Sequence, residues 1–296
     1  MLLSEALEEY LLDQRAKGNS RKTLIYYDQN LATFREFLGE RDLDEITLSD
    51  CRLYHDNICN KKIRTISVQS NIRAVRAFLK WCWLNEYMKS DLCRRFRLPK
   101  AKQTVIDVLT DEEIQKVYAF YSGDTFHQKR NLAIFALMLD SGLRLGEVVS
   151  ARRNKLRLPD FALIVLGKGN KERTVGFGVK TAEILQRYLD VCPTSDALFL
   201  KTDEEGRYLP ITESTVRDVF KVLKKYSGVP RIHPHLLRHT FATRYLQNGG
   251  SLMTLQMLLG HTSLEMVKHY LHLAMSRSQK EFSSFSPLDR LIDRVD

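Results

Sequence analysis

Apolar residues recur at helical spacing through most of the first ninety residues of the chain. Together with Ser, Thr and Gly at the ends of each run, this spacing predicts four helices, which run from about Ser4 to Gly18, Ser20 to Gly39, Thr47 to Asn60 and Ser67 to Tyr87. No alternating strand pattern interrupts them. Residues 1–95 are therefore expected to form a compact four-helix domain.

The pattern changes after a stretch without periodicity, residues 96–108, in which Pro99 favours a linker. Residues 109–296 then form a second, α-rich domain. Its helices are expected to begin near Thr110, His127, Val179, Thr212 and His235. Two β-rich runs flank Gly167-Lys-Gly-Asn170 and predict a hairpin with Lys168 at its tip. The predicted class is mainly α with a small antiparallel β-sheet.

The charge balance points to an anionic partner. The 296 residues carry 46 Lys and Arg against 36 Asp and Glu, a net charge of +10, and nucleic acid is the first candidate for such a chain. Five cysteines without a Cys-x-x-Cys pair favour reduced structural thiols. No apolar stretch approaches the length of a membrane span, and the first residues do not resemble a signal peptide, so a cytoplasmic protein is expected.

Basic residues are arranged in rows on the predicted helices of the first domain. Arg73, Arg76 and Lys80 are three and four positions apart on the fourth helix, and Arg21 and Lys22 open the second. Each residue alone also fits an ordinary solvated helix face. As rows, they suit contacts to DNA phosphates, which position a protein without reading base sequence.

A first candidate for chemistry follows the long helix that ends at Gly142. Arg144 is predicted in the first turn of the next helix, with Glu147 on the same face. An arginine there opposes the helix dipole, which favours anions. A bound phosphate would resolve that conflict, whereas a surface ion pair between Arg144 and Glu147 is the simpler alternative.

The C-terminal part contains further candidates at predicted helix ends and turns. His235 and Arg238 project from one helix face, His261 follows Gly260, and Tyr270 lies nine residues later. His235 and His239 have the spacing of a zinc-binding helix, but Arg238 would repel a metal and the glutamate of that motif is absent. No metal site is therefore predicted. Taken singly, the histidines and Tyr270 also fit structural roles.

As a set, these motifs resemble the tyrosine recombinase (phage integrase) family. The resemblance rests on Gly-Leu-Arg144-Leu-Gly-Glu147, Gly-Lys168-Gly, His235-Leu-Leu-Arg238-His-Thr, Leu-Gly-His261 and the position of Tyr270, and it covers essentially the whole chain. It is most similar to the simple two-domain, Xer-like and transposon-type members. Val267 and Leu236 depart from residues common at these supporting positions.

The resemblance implies a core-binding domain, a catalytic domain and a role for each matched residue. Tyr270 would attack a DNA phosphodiester and form a 3′-phosphotyrosyl link. Arg144 and Arg238 would hold the non-bridging oxygens, Lys168 would protonate the leaving 5′-oxygen, His235 would take the tyrosine proton, and His261 would hydrogen-bond the phosphate. Glu147 would orient the site. Because one phosphate ester replaces another, no cofactor is implied.

The implied partners are double-stranded DNA with specific sites and further copies of the chain. The tail after Ser276 places Phe282, Phe285, Leu288, Leu291 and Ile292 at helix-like spacing. In the family such a segment docks on a neighbouring protomer, which implies a homo-tetramer on two sites and a Holliday-junction intermediate. The alternatives are a type IB topoisomerase, which shares this chemistry, and a non-catalytic DNA-binding regulator.

Overall fold

The computed structural model describes residues 1–61, 63–96, 107–167 and 171–260. The chain divides into two compact units, Met1–Thr104 and Val105–Asp296. In both units the described residues are mainly helical, so the predicted class, mainly α with small antiparallel sheets, is confirmed. The expected linker falls largely on residues 97–106, outside the described residues, so its bounds stay a prediction.

The first unit contains the four predicted helices and one short additional helix. Their bounds are α1 Leu3–Ala16, α2 Arg21–Leu38, α3 Leu48–Asn60, α4 Thr65–Leu84 and α5 Leu92–Arg95, with a 3-10 turn at Leu43–Glu45. Ser4 does not cap α1 as expected: Leu2 is the N-cap, and its backbone N–H donates to Glu5 Oε2 at 2.9 Å. The apolar spacing does not predict α5, which is one turn long and capped by Asp91.

The core of this unit is built from the apolar faces of its helices. Tyr10 of α1 meets the rings of Tyr27, Phe78 and Trp81 with centroids 5.2–5.6 Å apart. Such edge-on contacts add to the free energy of burying the rings. With α1 and α2 fixed against α4 in this way, the polar side of α4 is left on the surface.

The second unit contains seven helices among its described residues. They are α6 Asp111–Phe120, α7 Phe126–Ser141, α8 Leu145–Val149, α9 Val179–Leu189, α10 Glu213–Tyr226, α11 Pro234–Gln247 and α12 Leu252–Leu259. Helix α7 is central, because every residue from Leu132 to Met138 is buried, as expected for a helix that is apolar all round. It packs against both α9 and α11.

Two small antiparallel sheets accompany these helices. The first has the order β1 Leu156–Arg157, β2 Ala162–Leu166 and β3 Glu172–Gly176, and it contains the predicted hairpin, with Leu163 opposite Val175. The second pairs β4 Leu200–Thr202 with β5 Tyr208–Pro210 around a turn that begins at Asp203. Strands of three residues are too short to give a period-two signal, which explains why sequence alone does not predict them.

No helix in the described part of the chain is long and apolar enough to cross a membrane. The expected cytoplasmic location stays a prediction.

Candidate active site

Arg144 lies where α7 ends and α8 begins. It is the N-cap residue of α8, with extended backbone, so the expectation that it occupies the first turn is wrong by one position. Its backbone N–H donates to Glu147 Oε2 at 2.8 Å, and its Nη1 donates to Glu147 Oε1 at 3.0 Å. At this N-cap position about a third of the Arg144 side chain is exposed (34%), so a ligand can reach it.

Glu147 is buried and shared between two guanidiniums. Besides Arg144, it accepts two hydrogen bonds from Arg173 of β3: Nη1 donates to Oε1 at 2.7 Å and Nη2 to Oε2 at 2.9 Å. Burial alone would raise the pKa of the Glu147 carboxyl. The hydrogen bonds and charges of Arg173 and Arg144 outweigh burial and hold that pKa below its ordinary value.

Arg238 is buried on α11 and bridges the ends of two other helices. Its Nη1 donates to the carbonyl oxygen of Gly142 and its Nη2 to that of Leu259, each at 2.7 Å. Both carbonyls belong to helix C-termini, where partial negative charge favours a cation. Arg238 therefore holds the ends of α7 and α12 beside the first turn of α11.

Gly142 makes this arrangement possible. Its φ of +64° is in the left-handed region that favours glycine. A Cβ atom at this position would lie 2.4 Å from the Phe241 ring. Because Gly142 has no side chain, the backbone can turn sharply at the end of α7 and reach Arg144 two residues later.

His235 lies on the first turn of α11, one helical turn before Arg238. Its side chain is open to solvent on one side. Desolvation by the surrounding protein, and then the positive charges of Arg238, His233 and Arg144, lower the pKa of His235 below its ordinary value. The imidazole is therefore neutral at neutral pH and can accept a proton. Arg144 and Arg238 donate to the carbonyl oxygens of two neighbouring residues at the end of α12, Gly260 and Leu259, and His235 precedes Arg238 by one turn of α11. Arg144, His235 and Arg238 therefore lie at one place.

Three predicted site residues, Lys168, His261 and Tyr270, lie outside the described residues. Their described neighbours in sequence are Gly167 and Lys171 for Lys168, and Gly260 for His261. Gly260 follows the last residue of α12, and its carbonyl oxygen lies 3.5 Å from Arg144 Nη2. Within the described ranges, no group of three or more His, Cys, Asp and Glu side chains is arranged to hold a metal ion.

The comparisons with known proteins agree with this geometry. Residues 107–277 match the Phage integrase family, and residues 5–85 match the phage integrase N-terminal SAM-like domain. The chain belongs to the phage integrase family. The predicted enzyme class is confirmed as well, since this recombinase is 31% identical over 293 residues to tyrosine recombinase XerC of Bacillus pumilus, with 94% of each chain covered. XerC of Staphylococcus carnosus is 32% identical over 275 residues, 90% of this chain and 92% of the relative.

Solved structures show the same fold. The crystal structure of XerA recombinase aligns over 96% of the recombinase and 99% of that chain, at 26% identity and a TM-score of 0.52. A lambda integrase fragment, solved as a dimer bound to a COC′ core site, aligns over 91% and 95% of the two chains, at 19% identity and a TM-score of 0.74. The latter likeness supports the fold alone.

The sequence patterns miss Arg173, although a signal was present. Arg173 is two positions from Val175, which is buried, so both side chains point to the core face of β3. A charge on the core face of a strand requires a partner, and Glu147 is that partner. The Arg173 side chain is only 13% exposed.

The predicted basic rows lie on the surface of the first unit, with different surroundings. Arg21, Lys22 and Arg73 are exposed and Arg76 is half-buried. Lys80 donates to Asp91 Oδ2 at 3.0 Å and lies 3.9 Å from the centroid of the Trp83 ring. Because the charge of Lys80 is already balanced, Arg73 and Arg76 on the same helix are better placed to meet an added phosphate.

A second basic surface of the first unit is a groove of about 500 Å³ between α3 and α5. It is lined by Arg52, His55, Arg94, Arg95 and Phe96. We call it the α3–α5 groove. The three arginines are exposed, and the ion pairs found in residues 1–61 and 63–96 involve other residues.

The shared carboxylate leads to a prediction about stability. Glu147→Gln leaves Arg173 and Arg144 without their counter-charge, and we expect the second unit to lose about 3–5 kcal/mol of unfolding free energy. The pKa of Glu147 is lowered by folding, so its stabilisation is present at neutral pH and lost as the pH falls below the ordinary glutamate range. The wild-type chain should therefore lose more stability on acidification than Glu147→Gln.

Urea unfolding followed by circular dichroism at about pH 7 and about pH 4 measures both effects. Trp81 and Trp83 are the only tryptophans of the chain and both lie in α4, so their fluorescence reports the first unit and should not change. Glu183→Gln, at an exposed ion pair with Lys180, is the matched control. Equal stability of Glu147→Gln and this control would contradict the assigned role of the carboxylate.

Proposed function

We propose that the recombinase cuts and rejoins double-stranded DNA at specific sites through a 3′-phosphotyrosyl intermediate on Tyr270 and a Holliday junction. The observation that carries this proposal is the meeting of Arg144, Arg238 and His235 at one place, formed by the end of α7 and the starts of α8 and α11. This place combines fixed positive charge with a neutral imidazole. It suits a phosphodiester and a nucleophile that must lose a proton.

The two arginines bind the non-bridging oxygens of the scissile phosphate. Their orientation is set before DNA arrives, because Glu147 holds Arg144 and two helix-end carbonyls hold Arg238. Charge that develops on the phosphate is then stabilised without reorganisation of the protein, and such preorganised contacts contribute strongly to catalysis. Arginine suits this role because its planar fork matches the phosphate oxygens.

The proton transfers complete the step. The Tyr270 hydroxyl oxygen forms a bond to phosphorus as its proton passes to His235, and the bond from phosphorus to the 5′-oxygen breaks as Lys168 protonates that oxygen. His261 donates a hydrogen bond to the phosphate. The lowered pKa of His235 keeps it in the accepting form at neutral pH. Because the phosphotyrosyl ester conserves the energy of the broken phosphodiester bond, a 5′-hydroxyl can later attack it, release Tyr270 and restore the DNA strand without a cofactor.

Tyr270→Phe tests the proposed nucleophile. Wild-type protein incubated with its DNA site should give a covalent adduct in which the protein is attached to the 3′-phosphate and the 5′-end is a free hydroxyl. The variant lacks the attacking oxygen and should give no adduct while binding the same DNA. Denaturing gels with DNA labelled at either end measure both outcomes.

Tyr226→Phe, at an exposed tyrosine of α10, is the control and should form the adduct like wild type. An adduct formed by Tyr270→Phe, or attachment to a 5′-phosphate, would show that the proposed nucleophile is wrong. Relaxation of a single duplex by the wild-type protein, without pairing of two sites, would favour the topoisomerase alternative. DNA binding by the wild-type protein without any adduct would favour the regulatory alternative.

We further propose that the first unit holds the DNA backbone through Arg21, Lys22, Arg73, Arg76 and, to a lesser degree, Lys80. The α3–α5 groove adds Arg52, Arg94 and Arg95 to this surface. Two observations support this role of the groove: its three arginines are exposed, and its volume of about 500 Å³ is sufficient for a phosphate group. Phosphates contacted by these residues release counterions, so their number appears in the salt dependence of binding.

The two basic surfaces can be separated by measurement. Arg73→Gln and Arg76→Gln on α4, and Arg52→Gln and Arg95→Gln in the groove, should each reduce the slope of log K against log salt by about 0.9, the value for one phosphate contact. Lys17→Gln, at a lysine that already pairs with Asp13, should leave the slope unchanged. Fluorescence anisotropy across a salt series measures it, and slopes equal to that of wild type for the groove variants would remove the groove from the DNA surface.

The assembly we propose is a homo-tetramer on two DNA sites, joined by the C-terminal tail. The tail belongs to residues 261–296, outside the described residues, and its apolar spacing is the support from sequence. A candidate receiving surface is a cleft of about 380 Å³ on the second unit, lined in part by Phe241, Arg244, Tyr245 and Leu258. Polar groups of Asp140, Arg244 and Asn248 also line the cleft, but its aromatic and aliphatic side chains match the apolar positions of the tail.

Ending the chain before Ser276 should reduce the occupancy of complexes with two DNA sites by about tenfold or more, because linked contacts multiply affinity. Binding to a single site should change little. Tyr245→Glu in the full chain should have the same effect, since it places a charge in the cleft. Native gels with one-site and two-site DNA measure this, and unchanged two-site complexes for both variants would contradict the proposed assembly.

A further inference from the structure

Arg173 has no part in the chemical roles proposed above, yet its side chain donates three hydrogen bonds around the site. Two of its nitrogens donate to Glu147, as described, and its Nε donates to the carbonyl oxygen of Leu258 at 2.8 Å. One side chain thus joins β3, α8 and the end of α12. Arg173 follows the hairpin tip in sequence, and Leu258 precedes His261 by three residues.

The charges of this cluster decide how much positive charge Arg144 presents. Arg144 and Glu147 alone would form a neutral pair, with the guanidinium drawn toward the carboxylate. Arg173 adds a second cation, so the three groups together carry one net positive charge. Glu147 Oε1 is shared between Arg144 Nη1 and Arg173 Nη1, so each guanidinium is balanced only in part.

The geometry also fixes the direction of Arg144. Each Glu147 oxygen accepts one bond from Arg144 and one from Arg173. The fork of Arg173 sets the plane of the carboxylate, and the carboxylate in turn sets the position of Arg144 Nη1. A lysine could supply the charge but has only one nitrogen, so it could not hold both oxygens and the Leu258 carbonyl together.

The packing around Arg173 also connects it to the residues that follow α12. Gly260 lies against its side chain, and a Cβ atom there would be 3.4 Å from Arg173 Cδ, Nε and Nη1. The Gly260 carbonyl oxygen also accepts from Arg144 Nη2, at 3.5 Å. The segment that leads toward His261 is therefore in contact with both arginines.

We infer that Arg173 is a positioning residue for strand cleavage, which acts through Glu147 to set both the direction of Arg144 and the net charge that it presents to the scissile phosphate. This inference rests on the proposed function, because it gives Arg144 the phosphate as its ligand. Arg173 itself does not touch the DNA or the reacting atoms.

The test is single-turnover cleavage of a site-bearing DNA in which the cut strand is nicked, so that the released fragment is lost. Arg173→Gln should slow cleavage by about 10–100-fold, the range found when residues that orient a ligand group are removed. Arg173→Lys should fall between this variant and wild type. Arg157→Gln, at an exposed arginine of β1 in the same sheet, is the control and should cleave like wild type.

Three double variants separate positioning from a loss of fold. Compared with wild type, Arg173→Gln combined with Glu147→Gln removes one charge of each sign and keeps the net positive charge. It should cleave faster than Arg173→Gln alone but more slowly than wild type, because the direction of Arg144 is still not fixed. Arg144→Ala combined with Arg173→Gln should cleave no more slowly than Arg144→Ala, since interacting residues are not additive. Lys168→Ala combined with Arg173→Gln should show the product of the two single losses.

A DNA with sulfur in place of the bridging 5′-oxygen gives an independent reading, because a thiolate leaves without being protonated. This substrate should restore the rate of Lys168→Ala but not that of Arg173→Gln. Restoration of Arg173→Gln, additive losses with Arg144→Ala, or a wild-type rate for Arg173→Gln would each overturn the inference. If wild-type protein forms no adduct with any DNA, the proposed function fails instead, and the two failures are therefore distinguishable.

Discussion

The buried carboxylate of Glu147 is the constraint on which the second unit's candidate site depends. A buried charge is costly unless it is paired and fully hydrogen-bonded, and Glu147 meets this condition only with Arg144 and Arg173 in fixed positions. The start of α8, the core face of β3 and the end of α12 are joined through this one group. A requirement of folding thus leaves the Arg144 guanidinium aimed at the surface.

The rest of the site is built from helix ends. Gly142 and Gly260 are both left-handed and follow the last residues of α7 and α12, and Arg238 donates to a carbonyl at each end. Helix ends leave backbone groups unsatisfied, so a buried guanidinium both satisfies them and gains their partial charge. Residues almost 120 positions apart are brought together in this way, and His235 lies beside them on the first turn of α11.

The sequence predicts local features well and long-range partners poorly. Apolar spacing gives the four helices of the first unit, and glycines and strand-forming residues give the hairpin, because those signals are local. Arg144 lies one position before the predicted first turn of α8, because its backbone N–H donates to the Glu147 carboxylate and makes it the N-cap residue. The sequence motif does not reveal this contact. The partners Lys80 and Asp91, and Arg173 and Glu147, are set by tertiary packing. For Arg173, the core-facing strand position was the readable signal, whereas the one-turn α5 that brings Asp91 to Lys80 has none.

The central claim is that the charge on Arg144 serves the scissile phosphate. It is tested most directly by measuring cleavage of DNA whose scissile phosphate is replaced by a neutral methylphosphonate. On ordinary DNA, Arg144→Ala should slow cleavage by about 10²–10³-fold. On the neutral substrate, where less charge must be stabilised, the same substitution should cost about tenfold or less. A loss of equal size on both substrates would contradict the account.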